Sequence, residues 1–249
     1  MLFLNPIQLS HPPIREAVYD IQVGGQIELE ALRTLAEQYG KEHGLKKTIP
    51  MHTGFFEIAI VPGQPAVASA QDRGIIGFRI EDEPATRIVQ FRTNGFSFSM
   101  TGTYDNWPSF RDRALVPARR FLASSGVDNI SRVALRYINA MRFSDTRVDL
   151  DEYLPAAPSI PPGLPQSISG FFSRVVFPIP EDDLTAVVTQ ALEDTPQAEP
   201  SVILDIDVFC QKPMQPNEKS WEQAFEKIRN WKNRIFFEYV NEKTVSLYR

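Results

Sequence analysis

The sequence predicts an α+β protein in which antiparallel sheet packs against three main helices. Three observations predict it. Several stretches alternate apolar and polar residues with the period of two that marks a half-buried strand. Three others repeat apolar residues near the 3.6-residue period of an amphipathic helix. The strands come in runs closed by a helix, not in strict strand–helix alternation, and that order belongs to antiparallel sheet.

Taken along the chain, residues 15–23 place Ala17, Tyr19, Ile21 and Val23 on one face and Glu16, Val18, Asp20 and Gln22 on the other. Pro12-Pro13 fixes the entry into this strand, where a backbone donor is not wanted. Gly24-Gly25 ends it. A helix follows, with Ile27, Leu32, Leu35 and Tyr39 near helical spacing and Gly40 or Gly44 as its stop. Strands are expected around 53–61, 74–81, 86–92 and 95–102, the last with Phe96, Phe98 and Met100 alternating with small polar residues. "VPGQPAVASAQDRG" has the composition of a loose loop, and "EDEPAT" that of a hairpin turn.

Asp105 or Asn106 can cap a helix striped by Trp107, Phe110, Ala114, Ala118 and Phe121, with Pro117 as a kink or a break into two. "ISRVALRYINAMRF" reads as a long strand, apolar through Val133, Leu135, Tyr137 and Met141, with Arg132, Arg136 and Arg142 on its other face. A helical turn fits 150–154. The run 155–166 then packs five prolines into twelve residues, a semi-rigid connector. It divides an N-terminal half, 1–154, from a C-terminal half, 167–249, which form either one domain or two. Beyond it, "SISGFFSRVVFPI", 183–193 and "SVILDIDVFC" read as strands or a short helix. The chain closes on a helix striped by Trp221, Phe225, Ile228, Trp231, Ile235 and Tyr239. Roughly eight to ten strands are expected in all.

One echo runs through this order. Aligning Phe110 on Phe225 brings Arg119 onto Arg234 and Phe121 onto Phe236. Two related β-α-β-β-β-α halves would produce it, and so would any two amphipathic helices rich in Phe and Arg.

Two stretches also carry a resemblance. "PPIREAV" (12–18) and "RVALRYIN" (132–139) resemble an uncharacterised, sporadically distributed bacterial protein family of about this length, and "DLDEYL" and the aromatic C-terminal helix extend the likeness. The resemblance implies a bacterial source and, from the patchy distribution, an accessory gene of the toxin–antitoxin or phage-defence kind. It brings no activity, cofactor or catalytic residue.

The bulk numbers narrow the function classes. A chain of 249 residues at 43% hydrophobic and 23% charged can bury a core without a disulfide or metal staple. The single cysteine, Cys210, cannot form an internal disulfide, which agrees with a cytoplasmic location. The start has no basic n-region and is broken by prolines, so neither a signal peptide nor a membrane span is expected there. A net charge of −5 speaks against broad nucleic-acid binding.

Catalytic constellations are hard to find. His11, His43 and His52 lack metal-ligand spacing, Cys210 ends an apolar strand, and there is neither a G-x-S-x-G elbow nor a phosphate-binding glycine loop. Asp205 and Asp207, two apart on a strand, could hold a divalent ion with Glu16, as in a metal-dependent hydrolase or nuclease. The opposing reading pairs them with arginines across the sheet, and pairs Glu16 with a mid-chain arginine. Guanidinium forks suit phosphates and carboxylates. The preferred expectation is therefore a non-catalytic binding or regulatory protein, taking a protein partner or an anionic ligand through Arg132, Arg136 and Arg142, with no cofactor. A small-molecule sensor with an aromatic pocket between the halves is the further alternative.

Overall fold

The computed structural model describes residues 8–59, 67–143, 149–193 and 201–249. The N-terminal seven residues, the first part of the expected 61–74 loop (61–66) and the end of the expected 53–61 strand lie outside them. Among the described residues nine strands form one antiparallel sheet in the order β2-β3-β4-β5-β1-β6-β9-β8-β7. They are β1 (Ile14–Val23), β2 (Lys47–Ala59), β3 (Val67–Glu81), β4 (Arg87–Arg92), β5 (Gly95–Met100), β6 (Ile130–Arg142), β7 (Phe172–Ile179), β8 (Leu184–Glu193) and β9 (Ser201–Cys210). Helices α1 (Leu29–His43), α2 (Trp107–Ser125) and α3 (Glu218–Tyr239) pack on one face, and a short α4 (Glu242–Ser246) follows. The α+β class with three main helices is what the periodicities call for.

Local signals account for most boundaries. Gly44, in the left-handed region at φ 68°, closes α1. Gly40 lies inside that helix, because a Cβ there would meet the Leu45 carbonyl oxygen at 2.9 Å. Asn106 accepts a hydrogen bond from the Ser109 amide and starts α2, and Asn217 does the same for α3 through Ser220. α2 runs unbroken past Pro117, so the expected two short helices are one, although Pro117 cannot donate to the Arg113 carbonyl. At 150–152 the expected turn is a single 3-10 turn capped by Asp149.

Two expectations fail at the same place. β2 begins at Lys47, ahead of the expected 53, because it is an edge strand and Pro50 removes no bond that the ladder needs. β3 takes in residues 67–73, expected as loop, because β2 supplies them with a ladder partner.

The helix-facing side of the sheet is the core. Tyr19, Ile21, Phe91, Phe96, Val133, Leu135, Tyr137, Leu204 and Ile206 are buried against Leu32, Tyr39, Phe110, Phe121, Phe225 and Ile228. Burying each such side chain is worth roughly 1.5–3 kcal/mol.

At its centre the sheet is built on a repeat. β1 pairs with β6 so that Ala17 faces Tyr137, Val18 faces Arg136 and Tyr19 faces Leu135. A two-fold axis through the Val18/Arg136 pair exchanges Tyr19 with Tyr137. Tyr19 stacks on Phe225 with ring centroids 3.7 Å apart, and Tyr137 meets Phe110 at 6.1 Å. These phenylalanines are the pair on which the two helices align in sequence. The strand orders match as well, β1-β5-β4-β3 against β6-β9-β8-β7. The halves differ at their margins: the first carries α1 and an extra strand, β2, where the second has a 3-10 turn and the proline-rich run.

Candidate anion-binding cleft

The open face of the sheet holds the residues that the sequence singles out. Arg132 donates to Asp20 Oδ1 and to Asp207 Oδ2, both at 3.0 Å, and its guanidinium lies 4.4 Å from the Phe209 ring centre. Arg92 closes on the other Asp20 oxygen at 2.5 Å. Arg136 makes a fork on Asp205 at 2.9 and 2.6 Å. Burial pushes the Asp207 carboxyl above its usual range, against the pull of Arg132 and Arg136. Arg132, Arg136 and Asp205 are thus committed to pairs within the sheet, as is one oxygen of Asp207, whose Oδ1 is buried without a hydrogen-bond partner. Glu16 stands near enough for its charge to favour protonated Arg136, but it makes no ion pair among the described residues. The expected pairing of Glu16 with a mid-chain arginine is not made among the described residues: Arg136 is taken by Asp205, and Asp20 is the β1 carboxylate that bridges. Arg142 is exposed at the far end of β6, where its backbone amide donates to the Tyr248 hydroxyl at 3.2 Å. No cluster of three or more His, Cys, Asp or Glu side chains among the described residues is set to hold a metal ion.

The helical arginines are likewise committed. Arg119 binds Glu218 and so ties α2 to α3, while Arg120 binds Glu42 and ties α2 to α1. His52 pairs with Asp72 at 2.8 Å on an exposed hairpin, and Cys210 is buried. Phe96, Phe98 and Trp107 are core residues.

A different cation is left over. On the helix side, between the start of α2 and the second half of α3, lies a cavity of about 230 Å³. Its floor is Ile14 with Tyr137 and Asn139, and Pro12-Pro13 forms one rim. That rim is held by a hydrogen bond from the Ala140 amide to the Pro13 carbonyl, 2.8 Å. Asn139 is buried, and its side-chain amide donates to the Leu204 carbonyl at 2.9 Å across to β9. The Tyr104 and Tyr137 hydroxyls lie 3.1 Å apart, and burial raises both above their ordinary value, so both stay protonated at neutral pH.

Lys232 enters this cavity from α3. Its ammonium sits 3.9 Å from the Tyr137 ring centre, a cation–π contact, and it has no carboxylate partner among the described residues. Burial, reinforced by the Arg229 charge, pulls Lys232 from 10.5 down to about 7. Arg229 lies 5.7 Å from the Trp107 ring centre and has Glu226 at 3.3 Å. Glu226 is also the acceptor of the Trp107 indole N–H, at 2.9 Å. Among the described residues the acid lining the cavity is Asp105, which faces Arg113 at 3.6 Å. The positive end of the α2 dipole opens here too, through Asn106 and Trp107. Two cations, a helix N-terminus and an aromatic floor suit a small anion with an apolar face.

Sequence reasoning missed Lys232, Arg229, Tyr104 and Asn139 as a group. One signal could have found the lysine: it stands four residues after Ile228 and seven after Phe225, inside the apolar stripe of α3. A cation there has to be sheltered or used.

No protein-family model matches the chain, and no curated protein is similar enough to count as a relative. No helix among the described residues is long and apolar enough to cross a membrane.

Proposed function

We propose that this chain is a non-catalytic binding protein that takes a small anion, a carboxylate or phosphate with an aromatic or apolar face, in the Lys232 cleft. One observation carries the reading: a half-buried lysine in the apolar face of α3, without a carboxylate partner among the described residues, opens onto a cavity. A buried ammonium without a counter-ion is costly, and an anionic ligand supplies the missing charge. The cleft also gathers residues from both stretches on which the family resemblance rests, Pro12, Pro13 and Ile14 from one and Tyr137 and Asn139 from the other. It lies between elements of the two halves, as a sensor pocket would.

This moves the anion from Arg132 and Arg136, whose forks are filled by the protein's own aspartates, to the other side of the sheet. Calorimetric titration with phenyl phosphate tests it. Wild type and Arg136→Ala should bind alike, and Lys232→Met should lose at least tenfold in affinity, about 1.4 kcal/mol. Equal binding by wild type and Lys232→Met would refute the cleft.

A further inference from the structure

The two edges of the sheet are not alike. β2 carries Lys47 and Pro50 and shifts register twice, after Met51 and after Thr53, which are the devices that keep an edge from pairing. β7 pairs with β8 over its whole length without a shift, and it leaves Phe172, Val175 and Val176 at 72%, 45% and 58% exposure. The repeat shows what is missing. Ile80, Val89 and Phe98 face one another across β3, β4 and β5, ending on Tyr19. Val175, Val188 and Ile206 do the same across β7, β8 and β9, ending on Tyr137. Ile80 is fully buried because α1 packs on β3 and β2 pairs with its edge. Its counterpart Val175 has neither neighbour among the described residues.

The backbone of β7 is arranged to accept a strand. The Phe171 carbonyl accepts from the Leu192 amide at 3.1 Å, so alternation turns the N–H and C=O groups of Phe172, Arg174 and Val176 away from β8. Pro178 also faces outward, where its missing N–H costs the β7–β8 ladder nothing. We propose that β7 pairs antiparallel with β7 of a second copy, about a two-fold axis at Val175.

In that register Val175 faces Val175 of the second copy. Arg174 and Val176 exchange both of their backbone bonds, and the Phe172 amide reaches the Pro178 carbonyl with its ring against the proline. Every outward donor of the strand then has an acceptor. Centring the axis on Arg174 sets two guanidinium groups opposite each other. Centring it on Val176 carries Phe172 past the end of the strand, into the 3-10 turn at Pro180–Asp182. The Val175 axis is the arrangement that avoids both.

Cysteine cross-linking of the full chain tests both the dimer and its register. A non-hydrogen-bonded antiparallel pair holds its Cα atoms about 4.5 Å apart, within reach of a disulfide. Under mild oxidation Val175→Cys should give a covalent dimer. Val176→Cys should not, since it faces Arg174, and Cys210 is buried and stays silent. Wild type should sediment as a dimer. Val176→Lys, at a position exposed in the monomer, should sediment as a monomer while keeping its circular dichroism and melting curve. A monomeric wild type at high protein concentration would overturn the proposal, whether or not another chain binds the edge. So would a dimer that Val176→Lys leaves intact, or one that Val176→Cys cross-links as readily as Val175→Cys.

Discussion

The two basic regions lie on opposite sides of β6 and show how little the number of cations says about where an anion will bind. On the open face, three arginines and three aspartates alternate as Arg92–Asp20–Arg132–Asp207 and Arg136–Asp205. On the helix face, one lysine stands above Tyr137, with Arg229 beside it and no acid of its own among the described residues. The first region is the richer in charge and is already neutral. The second is poorer and holds an excess. Partner geometry, not composition, decides which can accept a ligand.

The largest expected effect breaks the comparison on its structural side. Arg132→Ala removes the shared partner of Asp20 and Asp207 and leaves both carboxylates half-buried. Losing one member of a buried pair costs about 3–5 kcal/mol, and partial exposure here reduces that to about 2–3 kcal/mol in urea unfolding. Phenyl phosphate binding should be unchanged in the folded fraction.

Lys232→Met should have the opposite signature, with affinity lost and stability gained. The folded value of Lys232 lies below its ordinary 10.5, so between about 7 and 10.5 the unfolded chain binds more protons. Stability therefore rises with pH across that window in wild type, and the lysine destabilises most below pH 7. The gain in melting temperature on Lys232→Met should be greatest near pH 6 and fade toward pH 10. A gain independent of pH would mean that the side chain acts through packing alone.

A smaller effect sharpens the same point in wild type. An anion favours the protonated lysine, so phenyl phosphate affinity should fall as pH rises above 7, by up to tenfold per pH unit until the bound-state value is passed. Calorimetry in buffers of different ionisation enthalpy should show proton uptake on binding near pH 8. Smallest of all, Glu16→Gln should move stability by no more than about 0.5 kcal/mol, because Glu16 makes no ion pair among the described residues.

Much of the frame could be read from periodicity. The apolar faces of β1, β5 and β6, the caps at Asn106 and the hairpin at 82–86 follow from local rules that the packing did not override. The repeat was visible only as three matched helix residues until the Tyr19–Phe225 and Tyr137–Phe110 contacts gave it an axis. The β2–β3 hairpin was misjudged because Pro50 reads as a breaker unless the strand is known to be an edge. The pairing of Arg132 and Arg136 with aspartates is the alternative that the sequence offers, since Asp205 and Asp207 have the right spacing to face them. Register then decided that Asp20, and not Glu16, would join. The cleft was illegible for a different reason. Tyr104, Tyr137, Asn139 and Lys232 come from a loop, a strand and a helix spread over 129 positions, and no short motif records their meeting. Only the misfit of Lys232 within an apolar stripe pointed there.

The most direct test is to follow the Lys232 side chain by NMR through a pH titration, with and without phenyl phosphate, using Lys232→Met to assign the signal. The midpoint should lie near 7 in the free protein and move upward when the anion is bound. A midpoint near the ordinary lysine value, unmoved by the ligand, would contradict the cleft.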